Sequence, residues 1–79
     1  MADWIEEVVQ CLLETGKKDP VLAKLIRGTI KKLDQQPGLG TFLVDTLYFY
    51  SDPSGKFRVT YNFHPSQKRI EVVSLRILV

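Results

Sequence analysis

Residues 57–63 constrain this chain more than any other stretch. Phe57, Val59, Tyr61 and Phe63 alternate strictly with Arg58, Thr60 and Asn62. That period of two marks a β-strand with one buried face and one wet face. Aromatic and β-branched residues fill it, as a pleated, half-buried surface favours. A strand of this kind needs a cover for its oily face and partners for its edges. The preceding chain offers helices for the cover, and residues 69–79 offer a partner strand.

Two helical patterns precede it. Trp4, Ile5, Val8, Val9, Leu12 and Leu13 recur at the spacing of one helical face, with Asp3, Glu6, Gln10 and Glu14 opposite. Asp3 is the expected N-cap and Gly16 the expected C-cap. The apolar arc spans very roughly 180–200°, wider than the usual ~100° stripe, so this helix is expected to touch more than one surface. Lys17 and Lys18 then lead into Asp19-Pro20, an N-cap followed by a proline suited to the first helical position. Val21, Leu22, Leu25, Ile26, Ile30 and Leu33 line one side of the second helix, and Lys24, Arg27 and Lys31 the other. Gly28 weakens that helix by about 1 kcal/mol relative to alanine and is expected where helices pack closely. Residues 35–40, Gln-Gln-Pro-Gly-Leu-Gly, stop it.

The remainder reads as β-structure. Residues 41–51 hold a strand, strongest over 46–50. Residues 52–55, Asp-Pro-Ser-Gly, form a turn on the chemistry of each position. The central strand follows, then a turn over 64–68 and a last strand over 69–78. Three strands in sequence order with short turns predict an antiparallel meander. The expected fold is α+β: one domain over 1–79, with an N-terminal antiparallel helical hairpin (1–36) packed on a three-stranded antiparallel sheet (41–79).

Composition narrows the function. Seventy-nine residues, 44% of them hydrophobic, suffice for one small core. One cysteine and one histidine cannot build a usual zinc site or an internal disulfide, and no metal or cofactor is expected. Cys11 sits among Val8, Val9, Leu12 and Leu13 and reads as a small core hydrophobe. No run approaches the ~20 apolar residues of a membrane span, and the acidic opening lacks the basic start of a signal peptide. A cytoplasmic protein without membrane contact is expected. Residues 1–16 carry four acids and no base, residues 17–36 six bases against two acids, and residues 37–79 five bases against three acids. The excess on the sheet is left for an acidic partner.

The order of elements, with residues 17–33 and Pro37, resembles the helical hairpin of the RelE/ParE superfamily of toxin–antitoxin toxins. Gly55-Lys56-Phe57-Arg58-Val59-Thr60-Tyr61 is similar to that family's Gly-aromatic-Arg-hydrophobic-x-Tyr strand, and residues 70–76 to its closing strand. The resemblance covers about residues 17–78. It implies a small antiparallel sheet with a basic concave face and an antitoxin partner. Some members cleave mRNA on the ribosome without a metal, and ParE-like members poison DNA gyrase. For the cleaving branch it implies that Arg58 and Arg76 hold the scissile phosphate, as forked, permanently charged guanidinium groups can. Three family features lack a counterpart. They are a strand before the first helix, a basic or tyrosine-bearing C-terminal tail, and a lysine pair before the strand arginine.

Two functions follow as expectations. The first is a toxin acting on mRNA or a nucleic-acid machine, at most a metal-independent endoribonuclease. It would have Arg58, Arg76 and His64 as catalytic groups, His64 or Lys56 supplying the base. Lys24, Arg27, Lys31, Lys56 and Tyr48 would contact nucleic acid, Tyr48 or Tyr50 by stacking on a base. The second is a non-catalytic interaction module of the same fold. In that reading the arginines are solvated strand residues, Lys24, Arg27 and Lys31 a solvated helix face, and His64 a loop residue. The missing opening strand leaves a sheet edge open and, with the broad apolar arc, predicts a homodimer or a required protein partner.

Overall fold

The computed structural model describes residues 3–67 and 69–78. Helix α1 (Glu6–Lys18) begins later and ends later than its caps suggested. Asp3–Trp4 instead forms a two-residue strand, β1. Ile5, not Asp3, stands at the helix N-cap, and Gly16 lies inside the last turn, where a Cβ would sit 3.7 Å from Ala23 Cβ. The helix stops at Asp19, which also starts α2 (Pro20–Gln35) by accepting a hydrogen bond from Leu22 N at 3.1 Å. A single turn of 3₁₀ helix over Pro37–Leu39 follows.

The stretch expected as one strand is a hairpin. β2 (Thr41–Val44) and β3 (Leu47–Ser51) pair through a turn at Asp45, whose φ of 54° is the left-handed conformation that aspartate tolerates better than most residues. β4 (Phe57–His64) and β5 (Arg69–Ile77) complete the sheet. The turn between β3 and β4 is held by Asp52, whose carboxylate accepts from Ser54 Oγ and from Lys56 N at 3.2 Å. The Ser54 hydroxyl first, and then the backbone amides, hold that carboxyl below its usual range. The strand order is β1-β5-β4-β3-β2. β2 to β5 are an antiparallel meander, and β1 runs parallel to β5, with Trp4 opposite Val72. The expected α+β architecture holds, with five strands in place of three. The opening strand, read from sequence as absent, is present as this two-residue element.

The core forms where the helical hairpin meets one sheet face. Val8, Leu12, Leu22, Ala23, Ile26, Ile30 and Leu33 from the helices pack with Phe57, Val59, Tyr61, Ile70 and Val72. Phe57, Val59 and Tyr61 are wholly buried, as the alternation of β4 requires. Cys11 is half-buried beside β5. Strict alternation would put Ile70 and Val72 on the same side as Arg76. A β-bulge prevents this: Thr60 pairs with Ser74 and Tyr61 with Val72, which leaves Val73 as the extra residue. The bulge resets the phase, so Ile70, Val72, Leu75 and Ile77 all turn to the core while Ser74 and Arg76 turn away. No helix among the described residues is long and apolar enough to cross a membrane.

Gly28 does not serve internal packing. A Cβ there would meet nothing within 4 Å, because the residue faces outward on α2. Gly40 is the tight position. A Cβ there would run into the Tyr61 phenol and lie 2.8 Å from Phe49 O. The Tyr61 hydroxyl donates to Pro37 O at 2.6 Å, which ties the end of the hairpin to the central strand, and burial pushes its pKa above the ordinary value. Gly40→Ala is therefore expected to cost about 1–3 kcal/mol, the usual range for overpacking. Combined with Tyr61→Phe, which removes the obstructing oxygen, it should cost less than the two changes added together. Thermal melts of the three variants check this.

Candidate nucleic-acid interface

The wet face of the sheet is built by residues that alternation and the bulge turn away from the helices. From β4 it takes Arg58, Thr60, Asn62 and His64, and from β5 Arg69, Glu71, Ser74 and Arg76. Arg58 and Arg76 are directly opposite one another across the β4–β5 pair, and Ser51 is opposite Arg58 on its other side. Directly opposed residues have Cβ atoms about 4.5–5.5 Å apart, so the two guanidinium stems rise side by side. Arg58 Nε donates to Ser51 Oγ at 3.2 Å, and its guanidinium lies 5.0 Å from the Phe49 ring centroid. Both contacts are uncharged. Glu71 accepts from Asn62 Nδ2 at 3.3 Å and is five residues from Arg76, roughly 15 Å along the strand. Lys56 begins the same end of the sheet, where its carbonyl accepts from Leu78 N at 2.8 Å.

The structure thus brings Arg58 and Arg76 together, with Lys56 in the turn just before β4, and separates the other expected contacts from them. His64 shares the face but is six residues from Arg58 along β4, about 20 Å at the rise of an extended strand. It cannot act on a phosphate held by the arginines, so its assignment as their general base fails on distance. Tyr48 is on the opposite face. It pairs with Tyr61, stacks on that ring at 5.7 Å between centroids, and meets Phe42 and Phe63 edge-on. Tyr50, opposite Val59, packs against the core likewise. Neither tyrosine is a base-stacking platform on the wet face; the aromatic there is Phe49. Lys24, Arg27 and Lys31 are exposed on α2, in the other layer. One strand of nucleic acid lying on the sheet does not reach them.

Phe49 and Ser51 escaped the sequence reading because β3 is apolar or aromatic on both faces. Only its register with β4 decides which set faces out. The bulge hid the facing of Ile70 and Val72, not that of Thr60 or Ser74.

Like charges directly opposite on a sheet destabilise it. Replacing Arg76 with threonine, a good strand former, is expected to raise stability by about 0.2–1 kcal/mol, or about 1–8 °C in Tm for a domain of this size. A melt of Arg76→Thr beside the parent reads this directly. A pair that costs stability in the free protein invites an anion between its members.

No protein-family profile matches the chain, and no curated protein matches its sequence. Among solved structures, the isolated Escherichia coli RelE toxin in its P21 crystal form superposes with a TM-score of 0.76. The match covers 100% of this chain and 84% of that one, at 12% identity. The fold is RelE-like. At that identity the likeness reaches the arrangement of helices and sheet, and the chemistry must be judged on the side chains present. In this RelE-like frame, the face opposite the helical hairpin carries the opposed Arg58 and Arg76, hydroxyls and the Phe49 ring, with Lys56 in the adjoining turn.

Proposed function

We propose that this chain is a RelE-like toxin that holds RNA by its phosphates on the Arg58–Arg76 face and is neutralised by an antitoxin protein. The direct opposition of Arg58 and Arg76 with only neutral groups beside them carries the proposal. A guanidinium offers a fixed fork of donors to phosphate oxygens and stays charged at any working pH. Phe49, already under the Arg58 guanidinium, adds a ring that an unstacked base can share.

Binding is better supported than cleavage. Attack by a ribose 2′-OH needs a base and an acid near the phosphate as well as charge stabilisation. With His64 remote, Lys56 is the remaining candidate of the two for that role. The test is titration of a labelled single-stranded RNA oligonucleotide with the purified protein at 50 and 200 mM salt. Three phosphate contacts on a single strand predict a log–log slope near −2, so affinity should fall about 15-fold between the two conditions. The same samples read cleavage: RNA that stays intact assigns binding alone, and fragments lost in Lys56→Ala assign Lys56 the proton transfer. Absence of RNA binding at 50 mM salt overturns the proposal and favours the interaction module. The free edge of β2, with Phe42, Leu43 and Val44 all exposed, gives such a module, or an antitoxin strand, a place to pair.

A further inference from the structure

The outer face of the helical hairpin carries features that the fold does not use. On α2, Val21, Leu25, Gly28 and Lys32 follow the i, i+4, i+7, i+11 spacing of one surface row. Val21 is 77% exposed and Leu25 41%, and a Cβ on Gly28 would meet nothing within 4 Å among the described residues. A glycine in mid-helix costs stability, and here no internal contact compensates for it. Lys24, Arg27 and Lys31 flank this row, and Asp34 is the one acid of the helix. On α1, Glu6, Glu7 and Glu14 accompany Leu13 and Val9, which are 48% and 37% exposed. α1 therefore presents three acids with exposed aliphatics before it ends in Lys17 and Lys18, and α2 presents mostly bases with exposed aliphatics and a bare glycine.

We propose that two copies of this chain associate through these faces, α1 of each lying on α2 of the other. A two-fold axis running along the helices places α1 of one protomer over α2 of its partner in antiparallel orientation and closes the assembly as a dimer. The spacings match. Eight residues separate Glu6 from Glu14 and seven separate Lys24 from Lys31, about 12 and 10 Å at the helical rise. Glu14 then meets Lys24, Glu6 meets Lys31, and Gln10, midway on α1, crosses over Gly28. The missing side chain there lets the two helices approach closely. The other in-plane axis would stack α2 on α2, setting Lys24, Arg27 and Lys31 of the two copies together, base on base. Charge selects the first arrangement.

A helix of 16 residues spans about 24 Å, and two packed helices about 20 Å across, so the contact buries on the order of 1,000 Å² in total. That is the small end of specific interfaces and predicts a salt-sensitive dimer with a micromolar dissociation constant. The dimer leaves both Arg58–Arg76 faces outward, so it does not depend on the RNA-binding reading.

Sedimentation equilibrium from 1 to 200 µM in 50 and 500 mM salt tests the proposal. The wild type should pass from monomer to dimer across that range at 50 mM, with the midpoint moving up at least tenfold at 500 mM. Lys24→Glu/Lys31→Glu and Glu6→Lys/Glu14→Lys should each be monomeric, because each sets like charges together. Mixed one to one, the two reversed proteins should dimerise again, since every acid then meets a base. Gly28→Gln should block dimerisation while raising the Tm of the monomer. These positions are exposed, so circular dichroism should show every variant folded. A wild type that stays monomeric at 200 µM, or reversed variants that fail to rescue each other, overturns the proposal. So does a dimer that survives both reversals but is lost in Phe42→Lys, which would assign pairing to the β2 edge. RNA binding lost in Lys24→Glu/Lys31→Glu with no dimer in the wild type would make the α2 row a nucleic-acid contact instead.

Discussion

Val59→Asp unfolds this protein at 25 °C. Val59 is wholly buried at the centre of β4, with Tyr50 opposite on one side and Leu75 on the other. Its face of the sheet is covered by Ile26, Ile30 and the other helical core residues. A carboxylate placed there loses its water and gains no partner, so it costs several kcal/mol whether it ionises or takes up a proton. Stabilities of small domains are about 5–15 kcal/mol, and one of 79 residues belongs at the low end. The control is Thr60→Asp, one residue along on the wet face, which should cost within about 1 kcal/mol. Far-ultraviolet circular dichroism and urea melts separate the two. A cooperative Val59→Asp melt near the parent temperature would mean that the faces of β4 are reversed.

The second large effect is on binding. Arg58→Ala/Arg76→Ala is expected to weaken RNA affinity by on the order of 10²–10³-fold, since each charge-assisted contact to phosphate contributes about 1–3 kcal/mol. The salt slope should flatten from about −2 to about −0.7, because Lys56 alone remains at that end of the sheet. Both residues are exposed and Arg58 makes one hydrogen bond, to Ser51, so the fold should be retained. Loss of affinity with an unchanged salt slope would point to a contact other than phosphate.

Most of the frame was readable because it rests on local chemistry. Asp19-Pro20 can hardly do anything but turn one helix into the next, and the alternation of β4 leaves one choice of face. The β3–β4 turn follows from Asp52 and Gly55, whose φ of 77° suits a residue without a side chain. The misreadings came where a non-local contact overrode a local signal. Asp3 is a good N-cap by type, yet pairing with Glu71 at the sheet edge draws it into a strand. Asp45 reads as one residue of a continuous strand, until its left-handed turn folds the stretch into a hairpin.

The candidate interface was half legible for the same reason. Arg58 follows from alternation within one strand. Its pairing with Arg76 depends on the register of β5 and on a bulge at Val73 that no local pattern announces. Tyr48 and Phe49 are adjacent aromatics in a strand with no polar face, so their sequence does not say which one turns inward. Stacking on Tyr61 decides it. His64 shows the limit of face assignment: it has the right parity on β4 and the wrong distance.

The most direct test maps the contact itself. Amide chemical shifts of ¹⁵N-labelled protein should be followed as a short single-stranded RNA is added in 50 mM salt. The largest changes are expected at Phe49, Ser51, Lys56, Arg58, Thr60, Ser74 and Arg76, with α2 unmoved and with reversal on raising the salt. Shifts concentrated on Lys24, Arg27 and Lys31 while the Arg58–Arg76 face stays still would contradict the account.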